Sequence, residues 1–371
     1  MNDSSFFAPP TGTAPVPLSV LELATVGQGT SATQALHTSV LLAQQAEARG
    51  YHRFWVAEHH SLPEVASSSP AVLLSHIAAR TRSIRLGSGG VMLPNHAPLV
   101  VAEQFGMLDA LAPGRIDLGI GRAPGTDHAA AAALRRTDSP HQGADSFPEQ
   151  LSDLAGFLHD EHPPGHLYAD VHAIPGPAQG RLPGGVPSST RPTMWLLGSS
   201  GFSARLAAHL GLPFAFAHHF ASQHTDAALR LYREEFRPST VLDRPYAMVT
   251  VQALAAEDES EAYAQVLTGV ISMMRSQRGH KALMPTPQEA RRHVFSPSEK
   301  DFVRNWMATV EYGTPDVVRQ GLDRLAERTQ ADELLITSYV HGLQTRLRSF
   351  GLIADAYGMT AAQPDSRNST V

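Results

Sequence analysis

Tyr51-His52-Arg53-Phe54-Trp55-Val56-Ala57-Glu58-His59-His60 is a β-prone, mostly apolar run that stops abruptly in one carboxylate and two imidazoles. Chemistry placed at the C-terminal end of a strand is the habit of barrel enzymes. The stretch therefore predicts a barrel, provided the rest of the chain keeps the same rhythm. Apolar runs suited to strands occur at 18–24, 53–57, 84–92, 116–120, 193–197, 213–216, 246–255 and 333–337. Helix-period segments fall between and after them at 32–49, 70–81, 98–111, 147–158, 202–210, 225–236, 315–328 and 343–357. Such alternation implies a parallel sheet with crossover helices. About eight units predict an α/β fold of the TIM (β/α)8 type.

Two segments break the rhythm. Residues 163–192 are dense in Gly and Pro, and residues 260–305 form a polar, Met-dotted insertion between the seventh and eighth strands. Long insertions in a compact domain commonly serve as lids or binding loops, and a solvated excursion without a role is the alternative. Residues 1–17 and 361–371 have the small, polar composition of frayed tails, which leaves one domain over 18–360. No internal repeat of solenoid length is present.

With 371 residues and 42% hydrophobic content, the chain can bury a large core. A net charge of −6 and a pI near 6.3, without a basic block, argue against nucleic-acid partners. No run approaches the roughly 20 apolar residues of a membrane span, and the N-terminus lacks a signal-peptide pattern, so a cytoplasmic location is expected. The absence of cysteine removes disulfides, thiolate catalysis, Cys-ligated zinc and iron–sulfur clusters together. Redox chemistry must come from a bound cofactor.

Carboxylate and imidazole suit zinc or iron, yet neighbouring residues of an extended chain point to opposite faces, so His59 and His60 cannot easily share an ion. No metal is expected. One His could pack against Trp55 while the other is exposed; alternatively, an imidazole at a barrel mouth donates or accepts a proton near neutral pH. The third strand runs into Gly87-Ser88-Gly89-Gly90-Val91-Met92-Leu93-Pro94, whose glycines permit either the close approach of a flat ligand or tight barrel packing. The fourth ends in Asp117-Leu118-Gly119-Ile120-Gly121-Arg122-Ala123-Pro124-Gly125, placing a guanidinium suited to phosphate, or to a surface salt bridge, at a strand end. Its glycine spacing is not that of a dinucleotide fingerprint. The fifth runs into Gly198-Ser199-Ser200-Gly201-Phe202-Ser203 before a helix. These serines are either ordinary N-caps or part of an anion site at a helix N-terminus. Arg122 and these serines together make a phosphorylated cofactor the economical explanation.

In these blocks the chain resembles the bacterial luciferase-like family of flavin-dependent monooxygenases, TIM barrels that bind FMN at the C-terminal mouth. The resemblance spans roughly 18–357 and is strongest at Trp55 to His60, Gly87 to Pro94, Pro113 to Arg122, and Gly198 to Ser203 leading into Leu210-Gly211-Leu212-Pro213. It implies a non-proline cis peptide at Gly89-Gly90 beneath the flavin ring and a phosphate grip at Arg122, Ser200 and Ser203, with Ser199 beside them. It also implies an active-site histidine at His59, flanked by Glu58 in a supporting role. Gly121 stands where the light-emitting members carry a reactive cysteine, which argues against light emission from a long-chain aldehyde.

The expected activity is that of a monooxygenase. Reduced FMN from a separate flavin reductase would react with O2, and the flavin C4a-hydroperoxide would oxidise a small organic substrate. Residues 260–305 would be the lid, and 22–30 and His218-His219 would line the substrate pocket or its mouth. The alternatives are deazaflavin-dependent hydride transfer and non-catalytic flavin binding. The family resemblance implies a homodimer.

Overall fold

The structure, a computed structural model, describes residues 7–123, 128–135, 146–187 and 191–361. Ten strands lie among them: β1 (Leu18–Glu22), β2 (Arg53–Val56), β3 (Arg85–Ser88), β4 (Val91–Met92), β5 (Ile116–Gly121), β6 (Thr193–Gly198), β7 (Phe214–Phe216), β8 (Ala247–Ala255), β9 (Val310–Gly313) and β10 (Glu333–Thr337). Eight pair in parallel in the order β1-β2-β3-β5-β6-β7-β8-β10, and β10 pairs back onto β1, which closes the expected TIM barrel.

Side-chain alternation sorts the opening motif. Phe54 and Val56 face outward into the main hydrophobic layer beneath the helices. Trp55 and Ala57 face inward with Leu21, Trp195, Ala215, Met248 and Leu335. The inward series 53, 55, 57, 59 thus climbs the barrel axis in steps of about 6–7 Å, from a buried ionic floor, through an aromatic middle where Trp55 meets Trp195 edge-on at 5.1 Å, to the mouth.

The floor is a fully buried network. The Arg53 guanidinium donates to Asp117 at 2.8 Å and to Glu333 at 3.0 Å, and Arg85 donates to Asp117 at 2.8 Å. Trp55 Nε1 also donates to Asp117 and the Tyr246 hydroxyl to Glu333, while Ser19 donates to the same glutamate. Buried charges require this degree of pairing.

Three expectations about elements need correction. The single strand over 84–92 is two strands, β3 and β4, flanking a cis Gly89-Gly90 peptide. Strand β9 was not foreseen, because its four residues carry no usable periodicity. It pairs with Gln252–Ala255, while Met248–Gln252 pair with β10, so the nine-residue β8 serves two partners.

The third correction concerns residues 260–305, which are not a polar excursion. They fold as helices Glu259–Gln277, Pro287–Arg292 and Pro297–Met307. Ala262, Val266, Val270 and Met274 recur every four residues, one helical face, and this face joins Val303, Met307 and Val310 in a small core of its own. Asp258 caps the first helix, and Thr286 with Glu289 and Ser296 with Glu299 form capping boxes on the others.

The described part of the expected N-terminal tail is anchored. Thr13 N–H donates to the Tyr357 carbonyl at 2.8 Å and the Thr11 hydroxyl to the Gly50 carbonyl at 3.0 Å. Both acceptors lie at helix C-terminal ends, where carbonyls lack helical partners. Residues 1–6 and 362–371 lie outside the described residues, as do Pro124 and Gly125. Residues 163–192 hold one short helix, Pro177–Arg181, and 188–190 of them are not described.

Candidate active site

At the top of β2 the alternation that lifts His59 to the barrel mouth turns Glu58 and His60 the other way. Glu58 is 1% exposed. Its Oε1 meets His60 Nε2 and His96 Nε2, each at 2.8 Å, and its Oε2 accepts from Met92 N–H at 3.1 Å. Burial alone would push its pKa up, but these partners hold it down at about 2, and it is ionised. Although the three residues form a cluster of metal-ligand type, both nitrogen–oxygen distances are those of hydrogen bonds. Glu58 thereby ties β2 to β4, just past the Gly89-Gly90 peptide.

His59 has the opposite environment. Its Nδ1 is buried with no hydrogen-bond partner, and burial holds its pKa down at about 4 against the pull of Glu58. At neutral pH it is a neutral imidazole, so the proton role open to it is acceptance. His219 lies close enough for the two rings to influence each other, with its Nδ1 3.3 Å from the Thr250 carbonyl; burial holds its pKa at about 4. Its neighbour His218 turns elsewhere: Nδ1 is 2.7 Å from the Thr225 hydroxyl, and the ring lines a cleft of about 680 Å³ with Glu311, Arg324 and Arg328. The pair expected at the pocket is split between two places.

Gly87 on β3 and the Gly89-Gly90 pair between β3 and β4 are all closely packed. A Cβ on Gly89 would meet Leu21 at 2.6 Å, one on Gly90 the Gly119 carbonyl at 2.7 Å, and one on Gly87 the Trp55 ring at 2.5 Å. The Gly89-Gly90 peptide is cis, as the resemblance implies.

On the same rim, Arg122 lies just past β5 and stacks over the Phe202 ring at 4.4 Å. Phe202 is the second residue of helix Gly201–Leu210, so the stacking sets the guanidinium beside that helix's N-terminus. Ser200 is the N-cap residue, yet its side chain makes no capping bond, and Ser199 and Ser200 are exposed. Ser203 is buried against Gly198. An open N-terminus, free hydroxyls and a guanidinium are together the chemistry that could hold an anion.

The fit of a flavin can be tested on the polar atoms around the mouth. His59 Nδ1, Gln252 Nε2 and Thr337 Oγ1 are all buried and unpartnered, although such atoms are normally paired. Gln252 and Thr337 are register partners on β8 and β10, at inward positions by alternation with Met248 and Leu335. A flat heterocycle carrying carbonyls and ring nitrogens offers the kind of partner these atoms lack. Sequence reasoning missed Gln252, Thr337, His96 and Met92 N–H. The available signal was a polar residue at an inward position of an otherwise apolar strand.

Comparison with known proteins bears on this geometry. The profile of the luciferase-like monooxygenase family, Bac_luciferase, matches residues 16–333. The chain belongs to this family. It is 42% identical over 340 residues to the luciferase-like monooxygenase of Escherichia coli K12, and 46% identical over 340 residues to the protein YvbT of Bacillus subtilis. Each alignment covers 92% of this chain and 96% of the relative. Among solved structures, apo-MsnO8 superposes with a TM-score of 0.77 at 36% identity, covering 93% of this chain and 98% of that one. The chain is therefore an oxidoreductase of the luciferase-like monooxygenase family.

Proposed function

We propose that the chain is an FMN-dependent monooxygenase that takes reduced FMN from a separate reductase and, with O2, oxidises a small organic substrate through the C4a-hydroperoxide. The reduced flavin supplies the electrons; the protein supplies position, an anion grip, a proton acceptor and a dry chamber. The observation that carries this reading is the open helix N-terminus beside Arg122 on the same rim as the unpartnered His59, Gln252 and Thr337. Arg122, Ser199, Ser200 and Ser203 would hold the phosphate, and Gly89-Gly90 would lie under the ring. His59 would accept the proton. Glu58, ionised and tied to His60, His96 and Met92, would be a positioning group that fixes the β4 platform.

The segment 281–284 of the insertion supports the lid reading. Gln28 N–H donates to the Met284 carbonyl at 2.9 Å, Met284 N–H to Val26 at 3.3 Å, and Lys281 Nζ to the Ser61 hydroxyl at 2.6 Å. The insertion is thereby fastened across the loops that follow β1 and β2. A homodimer is part of the proposal, supported by Val72, Val100, Met107 and Leu111, exposed apolar residues on the adjacent helices Pro70–Ala78 and Pro98–Leu111; sedimentation as a monomer at micromolar concentration would remove it. So is a cytoplasmic location, and no helix among the described residues is long and apolar enough to cross a membrane.

Oxygen uptake coupled to substrate loss in the presence of FMN and a reductase tests the activity. Turnover without oxygen uptake would favour deazaflavin-dependent hydride transfer instead. Flavin binding without turnover would favour a binding protein.

A further inference from the structure

The loops that close over the barrel mouth bury a carboxyl group that the chemistry above does not use. Glu64 lies on the segment after β2, four residues past His60, and is 3% exposed. Its backbone belongs to the closure, since its carbonyl accepts from Val26 N–H at 2.8 Å and Ala66 N–H donates to Ala24 at 3.0 Å. Its side chain is poorly satisfied. Oε1 is 3.4 Å from the Tyr339 hydroxyl, and Oε2 is buried with no partner.

The surroundings are apolar. Val65, Met284 and Tyr339 form a buried cluster with Leu23 and Leu62 around them. Met284 comes from the insertion, and Tyr339 from the segment after β10. That segment is itself fastened to the loop after β1 by the Thr25 hydroxyl donating to the Val340 carbonyl at 3.2 Å and by His341 Nε2, 2.9 Å from the Gln28 carbonyl. Four separate segments thus form one clasp, and Glu64 is a carboxyl inside it.

Two glutamates on one stretch of chain make a controlled comparison. Glu58 has three hydrogen-bond partners and stays ionised, whereas Glu64 has its own backbone N–H and one distant hydroxyl, both too weak to offset burial. An unpaired carboxylate in such a place is costly and is more easily kept neutral. In line with this, burial holds the Glu64 pKa above its ordinary value, and its own backbone N–H, the Tyr339 hydroxyl and the Lys281 charge do not fully offset it. The ionisable groups that act on it are Tyr339 from the segment after β10 and Lys281 from the insertion.

We propose that Glu64 is a proton-operated catch for this clasp: the mouth closes over the neutral carboxyl, and opening hydrates it and releases its proton. The inference rests on the lid reading of the insertion but not on flavin chemistry. The closed form binds the proton more tightly than the open form, so closure is favoured at low pH. As pH rises from the ordinary carboxylate range through the closed-state value, opening becomes easier by at most about tenfold per pH unit, and it levels off above that value.

Amide hydrogen exchange on the flavin-free protein, followed upward in pH from the ordinary glutamate value of about 4.3 and corrected for intrinsic exchange, tests this. The reporters are Gln28 and Met284 N–H, both bonded across the clasp. Their protection should fall as pH rises, with barrel-strand amides as an internal control, and Glu64→Gln should flatten the dependence. Lys281→Met removes an exposed charge that favours ionisation and should move the transition to higher pH. Protection independent of pH in the wild type, an unchanged slope in Glu64→Gln, or an unmoved transition in Lys281→Met would each overturn the catch. None of these outcomes involves oxygen or FMN, so failure here would leave the monooxygenase reading standing, and failure of that reading would leave the catch.

Discussion

Glu58 and His59 are neighbours in the chain and opposites in chemistry, because alternation points one sideways into three hydrogen-bond partners and the other up into a site without partners. That His59 and His60 diverge was legible from the strand pattern. That Glu58 collects His60 and His96 was not, since His96 arrives from the far side of β4. Replacing His59 with alanine should slow turnover far more than it weakens FMN binding, by roughly 100-fold or more if it is the proton acceptor, and wild-type turnover in stopped-flow assays would remove it from that role. Because His59 stays neutral down to about pH 4, the acid limb of its contribution to turnover should lie well below the ordinary histidine value of about 6.5. Arg122→Ala should cost about 1.5–3 kcal/mol, or roughly 10–150-fold in FMN affinity by fluorescence titration, if charge-assisted bonds reach the phosphate. An unchanged dissociation constant would take Arg122 out of the site.

At the scale of elements, the long periodic segments were readable and the short ones were not. Strand Glu333–Thr337 and helix Leu343–Tyr357 fall where the pattern puts them, since apolar runs and helical stripes of that length have few competing explanations. Strand β9 borrows its stability from β8, and no window of four residues announces a partner. The insertion misled for a different reason: its charged outer faces hid the i, i+4 stripe that packs inward. If it acts as a lid, limited proteolysis between about residues 278 and 296, the stretch containing its fastening to the β1 and β2 loops, should slow when FMN is bound. Identical cleavage with and without FMN would argue for a fixed wall.

Taken whole, the molecule is a barrel with an ionic floor, an aromatic middle and a polar mouth. The closed sheet was visible in the alternation of strands and helices, whereas the floor was not, because Arg53, Arg85, Asp117 and Glu333 come from four different strands. Arg53→Met should destabilise the fold by about 3–5 kcal/mol in urea unfolding, since it leaves Asp117 and Glu333 buried with a partner missing. A change under about 1 kcal/mol would mean that the network tolerates the loss. Stability should also fall in acid. The pKa values of His52, His59, His218 and His219 are all held down at about 4 by burial. The unfolded chain therefore binds more protons below the ordinary value of about 6.5, and stability present above it is lost on descending toward pH 4, by up to about 1.4 kcal/mol per pH unit for each histidine. Urea midpoints that do not move between about pH 7 and pH 5, which spans the onset of that loss, would contradict these environments.

If the rim and mouth hold a reduced flavin and direct its reaction with oxygen, rapid mixing of the protein and anaerobically reduced FMN with oxygenated buffer will reveal it. An absorbance of oxygenated flavin should then persist for seconds or longer. Oxidised flavin appearing at the rate seen in free solution would contradict it.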